Sequence, residues 1–151
     1  MDSPPKYRLH HSLGYHLSLA ARMQERRLDD WLRPLGLTRI TWCILLAVEN
    51  EGLTRPSEIA GFVGIDRTAT SRALRQMEAS GLLTRKAADT DRRMTEVALS
   101  TEGRALVAKG TPLAQANNRL VSAKLTSAES KELKKLLEKL LEGEELALKR
   151  L

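Results

Sequence analysis

The side chains best suited to do chemistry lie in the segment after Asp66, where arginines alternate with short hydroxyl residues. At 100° per residue, one helical face of this segment is polar and basic. Its members are Arg67, Thr68, Ser71, Arg72 and Arg75. Short hydroxyls can approach base edges and phosphates, and an arginine can fork onto a guanine or a phosphate. The opposite face is suited to packing on a core. Its members are Thr70, Ala73, Leu74 and Met77.

Positive charge is concentrated in the same part of the chain. Residues 67–93 hold seven basic side chains against three acidic ones, a net +4 out of the formal +6 of the whole chain. If these arginines only made an ordinary helix face soluble, acidic residues three or four positions away would be expected to pair with them. Glu78 is the one acidic residue near them at such a spacing. The clustering therefore favours contact with nucleic acid over a solvated face.

A second group of charges, Asp91, Arg92 and Arg93, lies in a polar turn further along the chain. Asp91 and Arg93 are two residues apart, so in a strand-like segment both lie on one face. The carboxylate would then hold the Arg93 guanidinium extended towards a narrow minor groove, which attracts arginine. A surface ion pair of little energetic consequence is the alternative interpretation.

Metal, redox and catalytic chemistry are each disfavoured. His10, His11 and His16 lack the i,i+4 spacing that puts two imidazoles on one helix face, so no metal site is expected. Cys43 lies in the most apolar segment, and a buried, inert thiol is predicted rather than a redox sensor. The histidines are confined to residues 10–16 and no glycine-rich phosphate loop is present, so neither an enzyme nor a cofactor site is expected.

Length and composition predict one compact domain. The chain has 151 residues, of which 42% are apolar and 29% are charged. The longest apolar run, Trp42 to Val48, is far shorter than the ~20 residues that a bilayer span needs, so no membrane partner is expected. No signal-peptide core precedes it, and the single cysteine is consistent with a reducing cytoplasm.

Four helices are predicted in the first half of the chain. The first runs from Leu9 to about Leu32, and the second runs from a cap at Thr38 to about Asn50. The third is short, with a cap at Thr54, Pro56 in its first turn and its end near Gly64. The fourth is capped by Asp66 and stops at Gly81. The third and fourth helices, joined by a glycine turn, form a helix-turn-helix.

The second half of the chain begins with a hairpin. Strands are predicted at residues 82–85 and 95–99, with Val97 and Leu99 on one face. Ser100 or Thr101 caps a fifth helix that is interrupted at Gly110 and Pro112 and ends near Leu125. A last helix follows a capping box, and its leucines form one stripe. The predicted fold is mainly α with a small β-hairpin wing, a winged helix-turn-helix with N- and C-terminal dimerisation helices.

Four short runs together resemble the MarR family of bacterial transcriptional regulators. They are GIDRTATSR at 64–72, MEASGLLTR at 77–85, DRR at 91–93 and LSTEG at 99–103. The resemblance covers almost the whole chain, because the flanking helices fall where that family keeps its dimerisation helices. The resemblance implies a regulator of transcription that binds double-stranded DNA in a sequence-specific way, and we expect it to be a repressor. It also implies that a small aromatic or anionic effector releases the protein from its DNA.

The resemblance also assigns roles to individual residues. The fourth helix would enter the major groove through Arg67, Thr68, Ser71, Arg72 and Arg75. Arg93, oriented by Asp91, would enter the minor groove with Arg92 beside it. Ala88 and Asp89 stand where the family commonly begins its wing with Asp-Pro, so a different turn is expected at the wing tip.

The whole sequence predicts a cytoplasmic homodimer on an inverted repeat, divided into three parts. Residues 1–37 form the N-terminal dimerisation helix, residues 38–100 the DNA-binding domain and residues 101–151 the C-terminal dimerisation helices. Their apolar stripes exceed what a small domain can cover, so they are expected to pair with a symmetry mate. A winged-helix module that binds protein instead of DNA is the alternative, and a small hydrolase is a weaker one.

Overall fold

A computed structural model describes residues 3–144. Those residues form a mainly helical chain with one antiparallel hairpin, as predicted. The helices and strands, in chain order, are α1 (Leu13–Leu32), α2 (Arg39–Glu49), α3 (Pro56–Val63), α4 (Arg67–Ala79), β1 (Leu83–Ala87), β2 (Thr95–Leu99), α5 (Thr101–Ser122) and α6 (Ser127–Leu141). Short 3₁₀ turns precede and follow α1, at Leu9–His11 and Arg33–Leu35. Residues 1–2 of the expected N-terminal part and residues 145–151 of the expected C-terminal part lie outside the described residues.

Side-chain caps fix where most of the helices begin. Thr38 and Thr126 each form a capping box, and the Asp66 and Ser100 side chains accept hydrogen bonds from the first turns of α4 and α5. The predicted cap at Thr54 is wrong. Arg55 precedes α3 and makes no side-chain cap, while the Thr54 carbonyl accepts a 2.7 Å bond from the Val97 amide. Thr54 therefore ties the start of α3 to the hairpin.

The core lies around α2, the most apolar helix. Ile44, Leu45 and Ala47 are fully buried, and Leu74 of α4 joins them in one cluster. The hairpin contributes Leu83, Val97 and Leu99 to the same cluster, in the register Leu83↔Leu99 and Arg85↔Val97. The hairpin therefore packs on the helices through one face, and its other face stays in solvent. No single helix within residues 3–144 is long and apolar enough to cross a membrane; α1 and α2 pass that test only as a pair bent by 76°.

Helix α5 is continuous through Gly110 and Pro112, so the predicted interruption is wrong. Gly110 is buried against Trp42 of α2, and this close approach needs a residue without a side chain. Pro112 removes one backbone donor from the helix, and the neighbouring Thr111 hydroxyl donates a 2.7 Å bond to the Val107 carbonyl. Packing of α5 on α2 thus overrides two residues that disfavour a helix interior.

We expect the Gly110→Ala variant to lower the free energy of unfolding by about 1–3 kcal/mol, the range for overpacking a core. A Cβ at position 110 would lie 2.9 Å from Trp42 Cε3 and 3.0 Å from Cη2, so the indole ring or the helix must shift. Urea denaturation at one fixed protein concentration measures the change. Gly61→Ala is the matched control, because a Cβ at this exposed helical position meets nothing within 4 Å. Equal stability of the two variants would contradict the packing account.

A broad apolar surface remains uncovered on the helices that flank the core. Leu13, Leu19 and Met23 of α1 are 47–64% exposed. The α6 stripe is 37–52% exposed, and its members are Leu133, Leu136, Leu137, Leu140 and Leu141. Surfaces of this extent are uncommon on monomers and mark sites of association.

Candidate nucleic-acid interface

Helices α3 and α4 form the predicted helix-turn-helix. Gly64 ends α3 with φ +77°, in the left-handed region that glycine adopts without strain. The buried Ala60 carbonyl accepts bonds from the amides of Gly64 (2.9 Å) and Ile65 (3.2 Å), which closes the turn. Asp66 Oδ1 then accepts a 2.6 Å bond from the Ala69 amide and starts α4. A tight turn of fixed geometry therefore positions α4.

The two faces of α4 divide as the periodicity predicts. Thr70, Ala73, Leu74 and Met77 are buried, and the Thr70 hydroxyl is satisfied by a 2.9 Å bond to the Asp66 carbonyl. The polar face is exposed to solvent along its whole length. Its members are Arg67, Thr68, Ser71, Arg72 and Arg75. Within residues 3–144, none of these arginines forms a salt bridge. Their charges are available to an anionic partner.

Glu78, the acidic residue three positions after Arg75 on α4, is engaged elsewhere. Its carboxylate accepts bonds from Arg85 of β1, from Nε at 3.3 Å, Nη2 at 3.2 Å and the backbone amide at 2.9 Å. The Arg85 side-chain hydrogen bond lowers the pKa of Glu78, so the carboxylate stays charged. This pair joins the end of α4 to the base of the hairpin. Sequence spacing missed the contact because the two residues belong to different elements.

The tip of the hairpin is a turn, so the strand-like geometry expected for Asp91 and Arg93 is wrong. Asp91 Oδ1 accepts a 2.9 Å bond from the Arg93 backbone amide, and the Asp91 carbonyl accepts a 3.0 Å bond from the Met94 amide. No Asp91–Arg93 ion pair is present in the described part of the chain. Asp91 shapes the backbone of the turn, and the Arg92 and Arg93 side chains project from it, both exposed.

A cleft of about 360 Å³ lies between the start of α3, the polar face of α4 and the start of β2. It is lined by Arg55, Pro56, Ser57, Arg67, Thr70, Ser71, Met94 and Thr95. The sequence analysis singled out Arg67 and Ser71 but did not place Arg55 and Ser57 beside them. The general geometry of a helix-turn-helix, in which the start of the first helix lies beside the second, is the signal that could have found them.

The other candidate groups lie away from this surface. Cys43 is half-buried, and burial raises the pKa of its thiol against the opposing effect of Arg39. His16 Nδ1 lies 2.9 Å from the Ser12 carbonyl at the start of α1. Among residues 3–144, no three metal-ligating side chains come together.

A helix-turn-helix followed by a two-stranded hairpin defines the winged helix-turn-helix class of proteins, which matches the fold predicted from the sequence. The sequence profile of the MarR family matches residues 35–94. HTH-type transcriptional repressor Rv2887 of Mycobacterium tuberculosis is 30% identical over 129 residues, which is 85% of this chain and 92% of that protein. The chain belongs to the MarR family and is a transcriptional regulator. This family consists of regulators, not enzymes.

Solved structures support the same fold. A mutant of Escherichia coli MarR in complex with operator DNA superposes with a TM-score of 0.79 at 26% identity, over 85% of this chain and 93% of that one. Bordetella bronchiseptica BpsR, whose DNA binding is regulated by 6-hydroxynicotinic acid, superposes with a TM-score of 0.83 at 24% identity, over 90% of this chain and 97% of that one.

Proposed function

We propose that the protein is a homodimer that binds an inverted repeat in double-stranded DNA, with α4 in the major groove and the hairpin in the adjacent minor groove. The observation that carries this proposal is the exposed polar face of α4, whose arginines have no acidic partner in the described residues. Arg67, Thr68, Ser71, Arg72 and Arg75 read bases and contact phosphates. Arg92 and Arg93 contact the minor groove, and Asp91 holds the turn that presents them.

The proposed dimer is supported by the exposed apolar side chains of α1, α5 and α6. Pairing these helices across a two-fold axis covers surface that one chain leaves in water. The division into residues 1–37, 38–100 and 101–151 then separates two dimerisation parts from one DNA-binding part. The two copies of α4 address half-sites about one helical turn (~10 bp) apart. A cytoplasmic repressor is the form of regulator we propose, and the name of the mycobacterial relative supports repression.

Selection of bound fragments from random DNA tests the function directly. We expect enrichment of an inverted repeat whose half-sites are about one helical turn (~10 bp) apart. No enrichment over a chain lacking the α4 arginines would contradict the proposal. It would leave the alternative, a winged helix that binds another protein.

The affinity for the selected operator is expected to fall steeply with salt. If each protomer places about four cations on phosphates, the dimer places ~8, and log K falls against log salt with a slope near −7. Fluorescence anisotropy of a labelled operator between 50 and 300 mM salt measures the slope. A slope near zero would contradict the electrostatic account.

We also propose that a small aromatic or anionic effector releases the DNA. Such a molecule acts only through unequal affinity for the DNA-competent and incompetent states. In BpsR, 6-hydroxynicotinic acid regulates DNA binding, which is a precedent for this chemistry in the same fold. Adding aromatic carboxylates to the preformed DNA complex tests the proposal. A compound that lowers operator affinity, and whose own affinity for the protein is lowered by the same factor when operator is bound, fulfils it.

A further inference from the structure

The cleft between α3, α4 and β2 brings together basic and hydroxyl side chains that are distant in sequence. Arg55 and Ser57 come from the start of α3, and Arg67 and Ser71 come from the polar face of α4. The Val97 amide bond to the Thr54 carbonyl at 2.7 Å fixes β2 beside Arg55. A backbone hydrogen bond therefore fixes one side of the cleft, where the start of α3 meets β2.

The charge of the cleft suits an anion. Arg55 and Arg67 are both exposed, and neither forms a salt bridge in the described part of the chain. Glu58, the acidic residue in the first turn of α3, does not line the cleft. Helix α3 also begins without a side-chain cap, so its first amides add to the positive field.

The proposed docking of the protein determines which anion comes to the cleft. If α4 enters the major groove and the hairpin enters the adjacent minor groove, one sugar–phosphate strand must pass between them. The cleft lies between those same two elements, so it faces that strand. Phosphate is the group that a duplex presents there.

We infer that Arg55, with Ser57, binds a backbone phosphate at the boundary between the major and minor grooves. This inference rests on the proposed function and extends its contact surface beyond α4 and the hairpin tip. Because the contact is to phosphate, it contributes affinity and register but no base preference.

The Arg55→Gln variant tests the inference on the selected operator. We expect affinity to fall about ten- to a hundredfold at 0.1 M salt, and the salt slope to become shallower by about 2 for the dimer, since one cation is lost per protomer. The enriched sequence should be unchanged. Arg55→Lys retains the charge and should keep the slope. Arg33→Gln removes an exposed arginine of the α1–α2 connection, whose guanidinium lies 2.9 Å from the Asp30 carboxylate, and should bind like the parent chain.

Phosphate ethylation of the operator locates the contact. For the parent chain, ethylation of a phosphate between the two grooves of each half-site should weaken binding, and for Arg55→Gln that sensitivity should be lost at the same position. If Arg55→Gln instead matches Arg33→Gln in affinity and slope while the parent chain binds the operator, the inference is wrong and the proposed function stands. If the parent chain binds no DNA, both are wrong.

Discussion

The double variant Arg72→Ala/Arg75→Ala is expected to lose most of its operator affinity. Each arginine that reads a base contributes ~1–3 kcal/mol, and the dimer loses four of them, so the variant costs about 4–12 kcal/mol, or at least roughly 10³-fold in Kd. Both side chains lie on the exposed face of α4, opposite the buried Leu74 and Met77, so their removal leaves the core intact. Gel-shift titration of the selected operator and of unrelated DNA measures the loss for each.

The two titrations also separate base reading from simple charge. If the arginines read bases, affinity for the operator falls more than affinity for unrelated DNA. Arg33→Ala/Lys109→Ala removes the same charge from exposed positions outside α4 and the hairpin, and should bind almost normally. An Arg72→Ala/Arg75→Ala chain with full operator affinity would place the reading surface elsewhere.

The second large effect is expected from the dimerisation surface. Leu136→Gln/Leu140→Gln makes the apolar stripe of α6 polar and should yield monomers, because two of the exposed leucines that the partner would cover are lost. A monomer engages one half-site at a time, so operator affinity should fall about 10²- to 10⁴-fold with the loss of bivalent binding. Sedimentation measures the mass, and gel shift measures the affinity.

A control on the same helix keeps this result specific. Lys135→Gln/Glu138→Gln alters the face of α6 opposite the leucines and leaves the net charge unchanged, so it should remain dimeric. A leucine variant that stays dimeric would exclude the stripe as the interface. A monomeric variant that binds the inverted repeat as tightly as the parent would exclude two-fold recognition.

Local patterns predicted most of what positions the site. The 3.6-residue period separated the buried face of α4 from its basic face, because a side chain on a helix has its direction fixed by its position. The caps at Thr38, Asp66 and Thr126 were predictable since each bond spans three residues along the chain. These contacts depend on little beyond the nearby sequence.

Contacts between distant segments were not predictable in the same way. The continuity of α5 depends on Gly110 packing against Trp42, which lies 68 positions away in the chain. The Glu78–Arg85 pair and the Arg55 side of the cleft exist only after α3, α4 and the hairpin have packed. At the hairpin tip, the two-residue spacing of Asp91 and Arg93 suggested that both side chains lie on one face of a strand. The chain forms a turn there instead, and the Asp91 carboxylate accepts a hydrogen bond from the Arg93 backbone amide.

The central claim is that two copies of the basic α4 face are held at a fixed separation on one duplex. It is tested most directly by the affinity for the selected inverted repeat after ~5 bp, about half a helical turn, are inserted between its half-sites. We predict a loss of at least about a hundredfold, since one half-site is turned to the opposite side of the duplex. Unchanged affinity for the lengthened repeat would contradict the account.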